Sequence, residues 1–264
     1  MTAPVPGWLK DPRSRTLNLD DPAITRSRVQ VIRTKPLLLD VYRQWYDELA
    51  AEIPAGPGRI LELGAGAGFL TERIPNAITS DLMPAPGVDL LADGAALPFM
   101  EETMKAIVMT DVLHHVPRPR SMFADLARCV RAGGVVVMIE PWLSTWSRWI
   151  YGRFHHEPYE PSTQTWEFES TGPLSGANLA LPWIIFHRDA AIFAEEFPEW
   201  QVTAIRPAPS FRYIVSGGMS LRSLAPGATL PVWRWVDRTL RRWPETWSMF
   251  ALIVLTRTQS AARR

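Results

Sequence analysis

Between residues 59 and 139 the chain alternates short, mainly apolar runs with stretches of helical character. The runs cover 60–63, 77–80, 88–92, 106–109 and 135–139. Runs that are apolar in the main, without strict alternation, predict parallel strands buried on both faces. Between the last two, residues 120–131 place Phe123, Leu126, Ala127 and Val130 on one helical face, and Gly133–Gly134 predicts the stop. The expected class is α/β, a doubly wound and mostly parallel sheet, which binds ligands outside the carboxyl ends of its strands. Acidic residues stand at those ends: Asp81, Asp93, Asp111 and Glu140. Solvated loops would not place them with that regularity.

Outside this block the patterns differ. Residues 1–20 are polar and Pro-rich and predict an extended arm. Residues 20–53 read as helical, broken at Pro36, with Leu38, Tyr42, Trp45 and Leu49 at helical spacing. The P-A-G-P-G stretch at 54–58 is a linker signal. It divides an N-terminal arm with helices, 1–55, from a main domain, 56–264. Residues 141–187 and 206–247 are aromatic-rich and weakly periodic. A helix is expected over 189–197, and strands over 200–205 and 249–257.

At 59–69 the chain reads R-I-L-E-L-G-A-G-A-G-F. Glycines at every second position after a strand allow positive φ and close approach of a ligand to bare backbone. A helix starting there would add free N–H groups. The dinucleotide fingerprint G-x-G-x-x-G fails, because Phe69 stands at its third glycine. The spacing E-L-G-A-G-A-G resembles the first motif of class I S-adenosylmethionine-dependent methyltransferases. D-G-A-A-L-P-F at 93–99, D-V-L-H-H-V at 111–116 and V-R-A-G-G-V-V-V at 130–137 resemble the small-molecule members related to the quinone C-methyltransferases. The likeness is close over about 56–140 and holds in outline beyond.

The resemblance implies a Rossmann-like, seven-stranded sheet with an antiparallel last strand, and S-adenosyl-L-methionine as cofactor. It implies that Gly64, Ala65 and Gly66 pass beside the methionine part of the cofactor, and that Glu62 faces its ammonium. Asp81 would accept from the ribose hydroxyls, Asp93 with Gly94 would take the adenine amino group, and Thr110 and Asp111 would line the floor near the sulfonium. Asp111 could equally cap the turn at Val112. Family members usually carry a helix between the second and third strands. Here L-M-P-A-P-G at 82–87 cannot form one, which leaves the adenine side open with Leu82 a candidate cover.

A hydroxyl acceptor must lose a proton to a group with a pKa near working pH. The candidates are His114, His115 and Glu140, with His155, His156 and His187 in the looser region. The His pairs at 114–115 and 155–156 lack the spacing for one metal ion, so none is expected.

Charge changes the picture of partners. The chain carries a formal +1, but residues 206–264 hold ten Arg against Asp237 and Glu245. A basic end on an acidic body suits an anionic partner, or simply a solvated face. Ten of the twelve Trp follow Glu140; Trp142, Trp146 and Trp149 share helical spacing, as do Val232, Val236, Leu240, Trp243 and Trp247 until Pro244 interrupts. These segments read as a lid over the acceptor or as a surface resting on lipid headgroups through 206–247. The longest apolar run, 249–255, is far short of a membrane span, the first residues lack the apolar core of a signal peptide, and the single Cys129 excludes a disulfide framework. A cytoplasmic protein is expected, with peripheral membrane contact left open. The nearly exclusive use of Arg over Lys fits a GC-rich bacterial genome.

The expected function is methyl transfer, O-methylation first, to a small-molecule or lipid-like acceptor. A nucleic-acid methyltransferase and a non-catalytic cofactor-binding module are the alternatives; the former lacks an N-P-P-Y-type signature, and nucleic acid is not the favoured partner.

Overall fold

The computed structural model describes residues 7–14, 22–155, 157–170, 172 and 176–258. Its centre is a seven-stranded sheet of order β3-β2-β1-β4-β5-β7-β6. The strands are β1 (Arg59–Leu63), β2 (Ala77–Asp81), β3 (Leu90–Leu91), β4 (Met104–Thr110), β5 (Val130–Pro141), β6 (Trp200–Ala208) and β7 (Phe250–Arg257). The first five pair in parallel, and β7 runs antiparallel to both β5 and β6. The doubly wound, mostly parallel sheet with an antiparallel last strand is thus the architecture observed.

Alternate residues of each central strand feed two different cores, because successive side chains leave a strand on opposite faces. Leu61, Leu63, Ile107, Met109, Val136 and Met138 belong to one. There they meet Met122, Phe123 and Leu126 of α3 (Pro119–Cys129), and Leu181, Ile184 and Phe193. The last three lie on α5 (Leu181–Trp183), a wider helical turn at Ile184–Arg188, and α6 (Ala190–Glu196). Ile60, Ala106, Val108, Val135, Val137 and Ile139 face the other core. It is closed by α1 (Pro22–Thr34) and α2 (Pro36–Ala51), through Ile32, Leu38, Val41, Tyr42 and Trp45.

Three expectations change here. The helix after the glycine turn is absent: only one 3-10 turn, Leu70–Glu72, stands between β1 and β2. Helix α2 supplies the missing cover, packing Tyr42 and Tyr46 against Phe69. Helix α3 stops at Cys129, and Val130 already pairs with Met104, so Gly133–Gly134 lies inside β5. The arm before α1 is not simply extended. Lys10 bridges to Leu221, the Asp11 N–H donates to the Ser220 carbonyl at 2.9 Å, and Lys35 Nζ donates to Gly218 O at 2.8 Å. Asp20, the expected helix start, and His156 lie outside the described residues.

The looser segments hold α4 (Thr145–Phe154), α7 (Phe211–Ser216), α8 (Leu230–Leu240) and α9 (Pro244–Trp247). Ser144 caps α4 by accepting from the Ser147 N–H. Neither tryptophan stripe survives as one helical face. Trp146 stacks on Trp149 and Phe211, whereas Trp142 precedes the helix and packs in the first core beside His187. Trp243 and Trp247 lie beyond the end of α8. Among the described residues no helix is long and apolar enough to cross a membrane.

Candidate active site

The glycine turn leaves β1 with φ values of 70° at Gly64 and 45° at Gly66, the left-handed region that side chains with a Cβ disfavour. The N–H of Gly66 donates to Asp81 Oδ2 at 2.8 Å, and that of Met83 to Asp81 Oδ1 at 2.9 Å. Gly68 has no room for a side chain. A Cβ there would lie 2.7 Å from the Tyr46 hydroxyl and 2.8 Å from the Ala65 carbonyl. The third glycine therefore seats the turn on α2 and, beneath it, on Glu62, whose Oε1 would be 3.2 Å from that Cβ. On its other side a Cβ at Gly64 would strike Val112 at 2.5 Å. The turn is wedged between the tips of β2 and β4.

Glu62 is buried, and among the described residues no hydrogen bond reaches its carboxylate. Burial, then the charge of Asp81, pushes its pKa up to about 8. A buried carboxylate without a donor is costly, and a ligand ammonium would relieve it. The donor set here fits an amino-acid-bearing nucleoside: bare backbone at 64–66, an acidic group below it, and a carboxylate at the tip of β2. The adenine side is open. Asp93 is exposed and accepts from the Ala95 N–H at 2.9 Å, Gly94 packs beside Leu63, and Leu82 is 51% exposed. No helix forms between β2 and β3.

The second half of the site lies past β4. Thr110 pairs with Ile139 at the end of that strand. Asp111 has a φ of 56°, unusual for a residue other than glycine but tolerated by Asp. Burial pushes its pKa up to about 7, against the pull of His114. Its charge also reaches the buried Tyr42 of α2 and Tyr151 of α4 and the half-buried Tyr213 of α7.

Glu140 is fully buried and fully engaged. Oε1 accepts from the N–H groups of Val112 and Leu113, each at 2.8 Å, and Oε2 lies 2.8 Å from His114 Nδ1. On the far side of the His114 ring, Nε2 faces Glu157 at 3.7 Å. Burial alone would lower the His114 pKa, but the two carboxylates outweigh it and raise it to about 10. His115 behaves oppositely. Burial and the neighbouring His114 charge lower it to about 4, and its Nδ1 lies 3.1 Å from the Gly176 carbonyl. Its Nε2 also faces Glu157, at 3.7 Å. His155 Nδ1 lies 3.6 Å from the same carboxylate. His187 is exposed, packed against Trp142 and Trp183.

A methyltransferase domain family matches residues 37–181, more than half of the chain and all of this site from the glycine turn to Glu157. The chain belongs to that family. Among related sequences, an uncharacterized methyltransferase of Mycobacterium marinum is 31% identical over 113 residues, 40% of this chain and 44% of the relative. One of Mycobacterium tuberculosis is 32% identical over 123 residues, 40% of this chain and 48% of the relative. The chain spans about half the length of these curated relatives. Among solved structures, a methyltransferase in complex with the Haloferax volcanii Trm112 methyltransferase activator superposes with a TM-score of 0.50 at 12% identity, covering 88% of this chain and 94% of that one. A geranyl diphosphate C-methyltransferase from Streptomyces coelicolor gives 0.49 at 12%, with 95% and 89% covered. The first of these likenesses shows the shared fold.

Within this methyltransferase domain, sequence reading overlooked Glu157. It follows His155–His156 in a loop, 43 positions from His114, and no periodicity marks it. Its acidic side chain directly after two histidines was the one available signal. The loop is held by Asn178, whose Oδ1 accepts from Glu160 N at 3.0 Å, whose Nδ2 donates to Glu160 O at 3.2 Å, and whose own N–H donates to His114 O at 2.8 Å.

Proposed function

We propose that this chain is an S-adenosyl-L-methionine-dependent methyltransferase acting on a small-molecule or lipid-like acceptor, with an oxygen as the methylated atom. The observation that carries the reading is the wedge of the glycine turn between Asp81 and Val112, the latter held through its N–H by Glu140, which also binds His114. The cofactor, when bound, supplies a methyl group already activated by a positively charged sulfur. The narrower kinship with quinone C-methyltransferases belongs to the same proposal.

The chain's own work is positioning and proton handling, since in-line displacement gains most from fixed geometry. Glu62 takes the ammonium, Gly64–Gly66 the methionine backbone, Asp81 the ribose, and Asp93 with Gly94 the adenine edge, under Leu82. Thr110 and Asp111 form the floor. Asp111, at about 7, is poised to take the acceptor hydroxyl proton. In the metal-free chain His114 carries a positive charge between Glu140 and Glu157. Glu140 acts as a positioning residue, because both its oxygens are already bound. His115, neutral, lines the acceptor side. Residues 56–264 carry this chemistry, and α1 and α2 of the 1–55 segment roof it.

The test is Asp111→Asn. Loss of a general base costs about 10²–10⁴-fold in rate, with S-adenosylhomocysteine affinity kept within a few-fold. In the unaltered chain kcat/KM should climb as pH rises through about 7. Full activity of Asp111→Asn would refute the assignment of the base. Absence of S-adenosylhomocysteine binding to the unaltered chain would refute the reading itself.

One surface favours peripheral membrane contact. On α8 Val232 is 58% and Trp235 63% exposed, and Trp243 just beyond it 53%. Arg238 and Arg242 are exposed beside them. Three neighbouring arginines are engaged: the buried Arg212 and the exposed Arg234 pair with Asp40, and Arg241 with Glu48. Exposed Trp with flanking Arg suits an anionic lipid interface.

A further inference from the structure

We propose that His114, His115 and Glu157 form a binding site for one divalent transition-metal ion, with the acceptor oxygen as a further ligand. The role of the acceptor rests on the methyltransferase reading above; the metal site itself does not. One ligand atom from each of the three side chains lies within 4.8 Å of the other two. Each histidine presents Nε2 to Glu157 at 3.7 Å, to Oε2 from His114 and to Oε1 from His115. That is too long for a hydrogen bond. It suits two ligands of a shared ion, which at ~2.1 Å metal–ligand distance and tetrahedral angles stand ~3.4 Å apart.

The partners behind the ligands make the same case. Glu140 Oε2 accepts from His114 Nδ1 at 2.8 Å, and the Gly176 carbonyl accepts from His115 Nδ1 at 3.1 Å. A carbonyl oxygen can only accept, so Nδ1 of His115 holds the proton and Nε2 keeps its lone pair. A ligand imidazole that donates its other N–H to a carboxylate or carbonyl is the usual support of a metal centre. Asn178 ties the backbone of His114 to the loop bearing Glu157, which fixes both sides of the gap. Two carboxylates, Glu140 and Glu157, flank the His114 ring. In the metal-free chain a proton on Nε2 balances them, and a metal ion would displace that proton to solvent.

Two imidazoles and one carboxylate suit Zn²⁺, Fe²⁺, Mn²⁺ or Co²⁺ with positions left open. Asp111, within electrostatic reach of His114 and Glu157, would receive the proton of an acceptor oxygen bound there, whose charge would be offset by the ion. This supports a hydroxyl or enol acceptor over a carbon nucleophile.

The experiment is titration of chelator-stripped full-length protein with Co²⁺ and Zn²⁺, followed by visible absorption and calorimetry. One equivalent should bind, with visible Co²⁺ bands of a nitrogen–oxygen site. His115→Ala and Glu157→Gln should each weaken it at least ~10–100-fold, and Glu140→Gln by a similar factor through His114. Circular dichroism and S-adenosylhomocysteine binding of the same variants show that they fold and keep the cofactor cradle. Failure of the unaltered chain to bind either ion, or binding left unchanged in both ligand variants, would overturn the proposal. Metal binding without S-adenosylhomocysteine binding would instead sink the methyltransferase reading and leave the site standing.

Discussion

The backbone N–H of Gly66 donates to the carboxylate of Asp81 across 2.8 Å, joining the glycine turn to the tip of β2. Each oxygen of Asp81 thereby holds one N–H, from Gly66 or Met83, and retains a second lone pair for a ribose hydroxyl. Asp81→Ala should weaken S-adenosylhomocysteine binding at least ~10-fold in calorimetry, the loss of charge-assisted hydrogen bonds worth more than ~1.4 kcal/mol. Gly66→Val should abolish binding while far-UV circular dichroism stays intact, because a β-branched residue at a φ of 45° is strongly disfavoured. Unchanged affinity in either variant would place the nucleoside elsewhere.

Cofactor binding should release a proton from Glu62. Burial raises its pKa to about 8, so at pH 7 most chains hold it protonated, and a ligand ammonium favours the carboxylate. Affinity for S-adenosylhomocysteine should therefore increase as pH rises toward about 8. Calorimetry in buffers of different ionisation enthalpy at pH 7 should register nearly one proton released, and Glu62→Gln should remove it. A flat affinity profile would mean that Glu62 meets no ammonium.

Stability of the metal-free chain should fall between pH 7 and 9. The folded-state pKa values of Glu62, about 8, and His114, about 10, both lie above their unfolded values of ~4.3 and ~6.5. Over this interval the folded chain binds more protons than the unfolded one, so raising pH favours unfolding. The His114 contribution is complete below ~6.5 and is lost as pH passes through about 10. Thermal melts should give a lower Tm at pH 9 than at pH 7, and Glu62→Gln should reduce the difference. A Tm that rises over this range would contradict both assignments.

Anionic vesicles should sediment the protein at low salt through the face of α8. Trp235→Ala combined with Trp243→Ala should reduce the bound fraction several-fold, and salt should do the same, since surface charge is screened over ~10 Å at 0.1 M. Binding equal to that on zwitterionic vesicles would assign this surface to packing alone.

The carboxyl edge of the sheet and its glycine turn were legible because strand ends carry local marks. Short apolar runs closed by Asp81, Asp93, Asp111 and Glu140 located the carboxyl edge of the sheet, and the glycine spacing located its first loop. The role of Glu140 was not legible. A carboxylate at a strand end reads alike whether it faces ligand or, as here, accepts three hydrogen bonds from the turn beyond β4. The missing helix after the turn was equally hidden, because its replacement, α2, precedes β1 in the chain.

What the sequence by itself determined is the mostly parallel central strands and the glycine turn, set by periodicity and backbone freedom within a few neighbouring residues; the antiparallel last strand came only from the family resemblance. Only the tertiary structure decided that Glu140 and Glu157 flank His114, that no described residue donates to Glu62, and that Glu157 also faces His115. Those outcomes depend on burial and on charges brought together from distant segments, and neither quantity exists until the chain has folded.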